Sequence, residues 1–256
     1  MTGAARGIGA ATVAALAAQG WCVLAVDVCV NDPALPYDLG TVAELDAVVA
    51  GCGEPERVAR FVADVRDHAA MSAAVAEVEE RWGGLDAAIA VAGVIGGGVP
   101  QWQVPVEQER AILDINLSGV LALSRAAVPA LLRRPVPRTG RFLAVASAAA
   151  TRGLPMLAAY CAAKAGVTGL VRALAVELGG TGVTANAVSP GSTDTPILAE
   201  SARLYGLPGA ASFADQQPAA RLLDPAEIAT VLVFLAGPAS SAMTGAVVPV
   251  DGGLSL

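Results

Sequence analysis

The sequence predicts an α/β protein: one domain built on a doubly wound parallel sheet with helices on both faces. Short β-branched apolar runs alternate with Ala-rich stretches of helical length, which is the rhythm of repeated strand–helix units. At 256 residues, 55% hydrophobic and 15% charged, the chain has the apolar content for a large buried core. No internal repeat and no linker rich in Pro, Gly or Ser divides it, so residues 1–256 are read as one unit.

The elements follow in order. A glycine-rich turn opens into an Ala-rich helix at 8–19, followed by a strand at 21–26 that ends on Asp27. From Val28 to about residue 45 the rhythm breaks at Pro33, Pro36, Tyr37 and Gly40, and an irregular insertion is expected. Strands at 57–63 and 87–92 flank a helix at 71–82. One long helix is expected at 106–132, then a strand at 140–146, a helix at 155–178 and a strand at 183–188. Residues 197–221, with Tyr205, Pro208, Phe213 and Pro218, are expected to form an irregular lid over a substrate site. A helix at 225–235 and a strand at 246–250 complete the chain.

Composition excludes several classes. A net charge of −7, with no basic cluster beyond Arg133, Arg134, Arg138 and Arg141, argues against nucleic acid as a partner. The four cysteines form no C-x-x-C, and the lone His68 sits in a polar stretch expected to be a solvated loop, so no metal site and no histidine triad is expected. No continuous apolar run reaches the length of a membrane span, and no charged-then-apolar leader opens the sequence. A cytoplasmic protein without a membrane partner is the expectation.

Two constellations carry chemistry. Gly3, Gly7 and Gly9 allow a tight turn that aims a helix N-terminus at a pyrophosphate, with Arg6 and Ile8 between them. About twenty residues on, Asp27 can accept hydrogen bonds from a ribose diol and would repel a 2′-phosphate, favouring NAD over NADP. Arg6 pulls the other way, since a guanidinium in the loop can contact a phosphate. The second constellation is Tyr160 and Lys164, one helical turn apart, with Ser147 thirteen residues before Tyr160 in an alanine-rich run. A phenol of pKa about 10 works near neutral pH only with a positive charge beside it, so the pair reads as a proton-transfer device.

These residues together resemble the short-chain dehydrogenase/reductase family over essentially the whole chain. The matching motifs are Thr2-Gly3-x-x-x-Gly7-Ile8-Gly9, Asp64-Val65, Ala92-Gly93, Asn116, Ser147, Tyr160-x-x-x-Lys164 and Pro190-Gly191-x-Thr193-x-Thr195. The resemblance implies a Rossmann-type fold, a homotetramer, and a set of roles. Asp64 and Val65 would hold adenine, and Gly93 would lie on the adenosine ribose. Lys164 would hold the nicotinamide ribose and lower the pKa of Tyr160. Ser147 would orient the substrate oxygen, Asn116 would support a water chain, and Pro190 to Thr195 would embrace the nicotinamide. The segment from Val26-Asp27-Val28-Cys29 to Pro36-Tyr37 and Leu45 is similar to the insertion of mycofactocin-associated, carveol-dehydrogenase-like members. That similarity implies a tightly held NAD re-oxidised in place by a peptide-derived carrier. In the family's usual Asn-Asn-Ala-Gly, this chain has Ala90-Val91-Ala92-Gly93.

The implied reaction is NAD-dependent interconversion of a secondary alcohol and a ketone. Ile95, Trp102, Leu154, Met156, Tyr205 and Phe213 are candidate pocket residues, and they favour an apolar terpenoid or alicyclic substrate. An NADPH-dependent carbonyl or acyl-carrier-linked reductase is the alternative, opposed by Asp27. A non-catalytic dinucleotide-binding regulator is the other, opposed by the complete Asn116, Ser147, Tyr160 and Lys164 set. The family's first strand would lie before Met1. The expectation is a sheet lacking its central strand, hence a destabilised protein with impaired NAD binding, or a chain shorter than the natural product.

Overall fold

The computed structural model describes residues 1–256. Six strands, β1 (Val23–Asp27), β2 (Val58–Val62), β3 (Ala87–Ala90), β4 (Arg141–Val145), β5 (Thr184–Pro190) and β6 (Val247–Val250), are all parallel. They form a pair, β2 beside β1, and a run in the order β3-β4-β5-β6. The gap between β1 and β3 is closed by residues 1–4. Met1 donates its amino group to Leu24 O and accepts from Val26 N, Thr2 N donates to Ile89 O, and Ala4 N to Val26 O, all within 2.7–3.1 Å. The expected unpaired neighbours are therefore satisfied over their upper halves, with Thr2 bridging both Val26 and Ala90. Lower down, a cavity of about 30 Å3 separates Leu24 from Ala87 and Ile89.

Strand alternation splits the core in two. In β1, Leu24 and Val26 join one apolar cluster while Val23 and Ala25 join the other; in β4, Phe142 and Ala144 oppose Leu143 and Val145. The first cluster is covered by α3 (His68–Trp82), α5 (Gly119–Arg133) and α6 (Ala158–Glu177). The second is covered by α1 (Gly7–Ala18), α2 (Val42–Gly51) and α8 (Pro225–Ala236). The stretch Val106–Arg133 and α6 are long and apolar enough by composition to cross a bilayer, yet 56% and 44% of their apolar windows are buried within the protein.

Several expectations are corrected. The helix expected at 106–132 is α4 (Val106–Leu113), a π-helical turn (Asp114–Ser118) and then α5. The helix that carries Tyr160 and Lys164, expected at 155–178, begins at Ala158, because Pro155 and Met156, the latter at φ +61°, hold an irregular approach. The insertion ends in α2, nucleated by a capping box in which Thr41 accepts from Glu44 N and Glu44 accepts from Thr41 N. The lid is not irregular throughout: α7 (Pro196–Leu204) and a 3-10 stretch (Ala210–Gln216) occupy it. His68 is exposed, as expected, but opens α3 behind the N-cap Asp67.

Candidate active site

At the carboxyl ends of β1 and β3–β5 lies a cleft of about 670 Å3, where the sheet reverses its winding order. Of the residues expected at the site, all line this cleft except Trp102 and Met156. Trp102 is 84% exposed on a 3-10 turn. Met156 contributes its backbone instead, accepting from Gly98 N at 3.1 Å, which braces the loop after β3.

The glycine turn is built for close approach. Gly3 sits at φ +69°, and a Cβ at Gly9 would stand 1.7 Å from Gly3 O. Gly9→Ala is expected to displace the turn, costing about 1–3 kcal/mol in urea unfolding and abolishing dinucleotide binding by calorimetry. The N-terminus of α1 has no side-chain cap and no acidic residue in its first turn, leaving its N–H groups for an anion. Asp27 Oδ2 accepts from Ala5 N at 2.9 Å, which fixes the carboxylate at the cleft floor. Arg6, also in the cleft, donates from its guanidinium to Asp38 O at 2.6 Å. Asp64 is gripped by Arg66, whose Nε and Nη2 lie 2.6–3.1 Å from the carboxylate. Hydrogen bonds from Arg66 overcome burial and hold Asp64 below the usual carboxylate range. Val65 is buried beneath it.

The insertion is fastened across this end. Arg66 Nη1 reaches Asp32 at 2.7 Å, Arg6 holds Asp38, and the Tyr37 hydroxyl accepts from Ile95 N at 2.9 Å. Burial pushes the Tyr37 phenol up to about 12. At the Ala90-Val91-Ala92-Gly93 departure, the Thr2 hydroxyl accepts from Val91 N and Ala92 N at 3.2 and 3.4 Å. None of Tyr37, Arg66 or Thr2 was marked by sequence as a site residue. The capping box at Thr41, legible as T-x-x-E, could have shown that the insertion ends in a helix.

On the opposite wall, Ser147 caps a 3-10 turn through Ala149 N at 3.1 Å. Tyr160 and Lys164 both emerge from α6. Lys164 Nζ donates to Val145 O at 2.9 Å and lies 5.8 Å from the Tyr160 ring centroid. Burial lowers the ammonium to about 8. Burial also raises the Tyr160 phenol, against a smaller opposing pull from the Ser147 hydroxyl. Burial, not Lys164, sets the direction of the Tyr160 shift. Asn116 is fully buried in the π-helical turn, and its carboxamide grips Val94 N and O at 2.9 Å each. Gly93 lies against Asn116 Oδ1 and Lys164 Nζ. At the end of β5, Pro190, Gly191 and Thr193 form one rim, and Thr195 caps α7 through Leu198 N at 3.3 Å. Tyr205 and Phe213 meet edge to face at 6.2 Å, and Tyr205 donates to Pro155 O at 2.7 Å, fastening the 197–221 segment to the loop before α6.

A family model described as enoyl-(acyl carrier protein) reductase matches residues 3–255. The chain belongs to the short-chain dehydrogenase/reductase family. It is an oxidoreductase with the family's parallel Rossmann-like sheet. It is 35% identical to cis-4-hydroxycyclohexanecarboxylate dehydrogenase of Sinomonas cyclohexanicum, over 99% of this chain and 94% of that protein. An uncharacterised NAD-dependent oxidoreductase of Mycobacterium tuberculosis is 33% identical, with 99% and 94% covered. The crystal structure of carveol dehydrogenase from Mycobacterium avium in complex with NAD superposes with a TM-score of 0.93 at 32% identity, covering 99% and 95% of the two chains.

Proposed function

We propose that this short-chain dehydrogenase/reductase interconverts a secondary alcohol and a ketone on an alicyclic, largely apolar substrate. The cofactor is NAD. The observation that carries the reading is the convergence of Ser147, Tyr160 and Lys164 on a cleft whose other end holds an uncapped helix N-terminus and Asp27. Relatives named for hydroxycyclohexanecarboxylate and carveol, both cyclic alcohols, support the alicyclic class.

NAD, when bound, supplies the hydride acceptor or donor. Its pyrophosphate would rest on the Gly3–Gly9 turn, and its ribose diol on Asp27. Asp64 and Val65 would flank adenine, with Ala92 and Gly93 beside the ribose. Lys164 and the Pro190–Thr195 rim would hold the nicotinamide end. The protein's own groups handle the proton. Ser147 donates to the substrate oxygen, Tyr160 takes or returns the hydroxyl proton, and Lys164 supplies positive charge behind it. Asn116 fixes the strand end through Val94, which leaves its backbone for the water chain. Asp27→Ala is expected to lower the preference for NAD over NADP by about tenfold or more, read from the affinity of the nucleotide-stripped protein for each cofactor.

NAD is held beneath the insertion and re-oxidised in place by mycofactocin; the three fastenings from Asp32, Tyr37 and Asp38 support this. The purified protein should then carry NAD through dialysis and turn over a cyclic alcohol with an artificial acceptor. Free exchange of NAD would limit the reading to an ordinary dehydrogenase. Exposed Leu121 and Val176 on α5 and α6 support assembly of the single-domain chain into a tetramer. Four free cysteines suit a cytoplasmic setting.

A further inference from the structure

Charge is divided unevenly along the cleft. Arg6, Asp27, Asp32, Asp64 and Arg66 line the dinucleotide end, each engaged by a protein partner. In the substrate half only two charged side chains line the wall, Lys164 and Arg152. Lys164 is buried and bonded to Val145 O. Arg152 is of a different kind. It is exposed at the mouth and belongs to none of the eight ion pairs of the chain. Its side chain makes a single hydrogen bond, from Nη1 to Leu254 O in the C-terminal segment, with Nη2 and Nε not hydrogen-bonded to the protein.

The position of Arg152 is fixed from below. Its backbone N donates to Ala148 O at 3.0 Å, closing the same turn that Ser147 caps, so guanidinium and catalytic hydroxyl rise from one short loop. Leu154, Leu157, Phe213 and Leu254 line the same cleft. A ligand in this half would meet oxygen-binding groups at Ser147 and Tyr160, apolar side chains, and a planar cation with unused donors. A carboxylate matches such a fork in geometry and charge.

We propose that Arg152 receives a carboxylate carried by the substrate at the end remote from the reacting carbon. The substrate class is then an alicyclic hydroxy acid and its oxo acid, and Arg152 is a specificity-determining residue. This rests on the dehydrogenase reading above and narrows it.

The test compares 4-hydroxycyclohexanecarboxylate, its neutral carboxamide and 4-aminocyclohexanol in wild type, Arg152→Lys and Arg152→Glu. Wild type is expected to favour the acid over the carboxamide by about ten- to thirtyfold in kcat/KM, chiefly through KM. Arg152→Lys should retain part of that ratio. Arg152→Glu should erase it and shift preference towards the amine, a gain that a merely structural role would not give. An unchanged acid-to-carboxamide ratio in Arg152→Glu overturns the proposal. If wild type oxidises none of the three and does not oxidise carveol either, the alicyclic-alcohol reading fails by itself. Calorimetry with cyclohexanecarboxylate then decides for Arg152: binding lost in Arg152→Glu supports the carboxylate site, and equal binding overturns it.

Discussion

Tyr160→Phe is expected to lower kcat for alcohol oxidation by about 10²–10⁴-fold, the usual contribution of a positioned general acid or base. The substitution removes one oxygen and little else. The ring stays packed in the cluster formed by Ile95, Ile112, Ala149 and Leu157, so the helix and the loop that carries Ser147 are undisturbed. The phenol proton is bound more tightly than usual because the group is buried. Loss of that hydroxyl therefore costs the fold nothing in ionisation at neutral pH. NAD affinity, measured by calorimetry, should stay within a few-fold of wild type, because the Gly3–Gly9 turn and Asp27 lie at the other end of the cleft. Turnover retained in Tyr160→Phe would place the proton acceptor on another group.

The parts of this site that were legible in the sequence share one property: their geometry is local. Tyr160 and Lys164 meet because one helical turn separates them, and the glycines of residues 3–9 reveal a turn because its conformation excludes side chains. The strands were legible for a similar reason, since both faces of a parallel sheet are buried and their residues read as apolar runs. What sequence missed depends on contacts across long separations. Arg66 binds Asp32 and Tyr37 binds Ile95 N, 34 and 58 residues apart, and no pattern within either segment signals it. Trp102 was misjudged because an apolar side chain on a loop has the same appearance whether it lines a pocket or faces water. The π-helical turn was hidden because its extra residue leaves apolar periodicity nearly intact on both sides. It is justified only by the grip of Asn116 on Val94. The closing of the sheet by residues 1–4 was equally invisible, because it rests on backbone groups that every residue carries.

Lys164→Met is expected to abolish alcohol oxidation and at the same time stabilise the NAD-free protein. Lys164 is 4% exposed and has no carboxylate partner; its ammonium is satisfied by a backbone carbonyl alone. Burial lowers its pKa from 10.5 to about 8. Below pH 8 both the folded and the unfolded chain hold the proton, and the folded state bears the full cost of a buried charge. Between about 8 and 10.5 the unfolded chain binds more protons than the folded one, so stability rises with pH across that window and the cost disappears. A shift of this size corresponds to about 3 kcal/mol at neutral pH. Methionine fills a similar volume without charge, so urea unfolding at pH 7 should show Lys164→Met more stable than wild type by about 1–3 kcal/mol. That advantage should shrink as the pH approaches 10.5. A variant less stable than wild type at pH 7 would mean that the carbonyl bond outweighs desolvation, and that Lys164 is part of the scaffold. A variant more stable but inactive would mark Lys164 as a charge held in the core against the fold's own preference, for the sake of the proton on Tyr160.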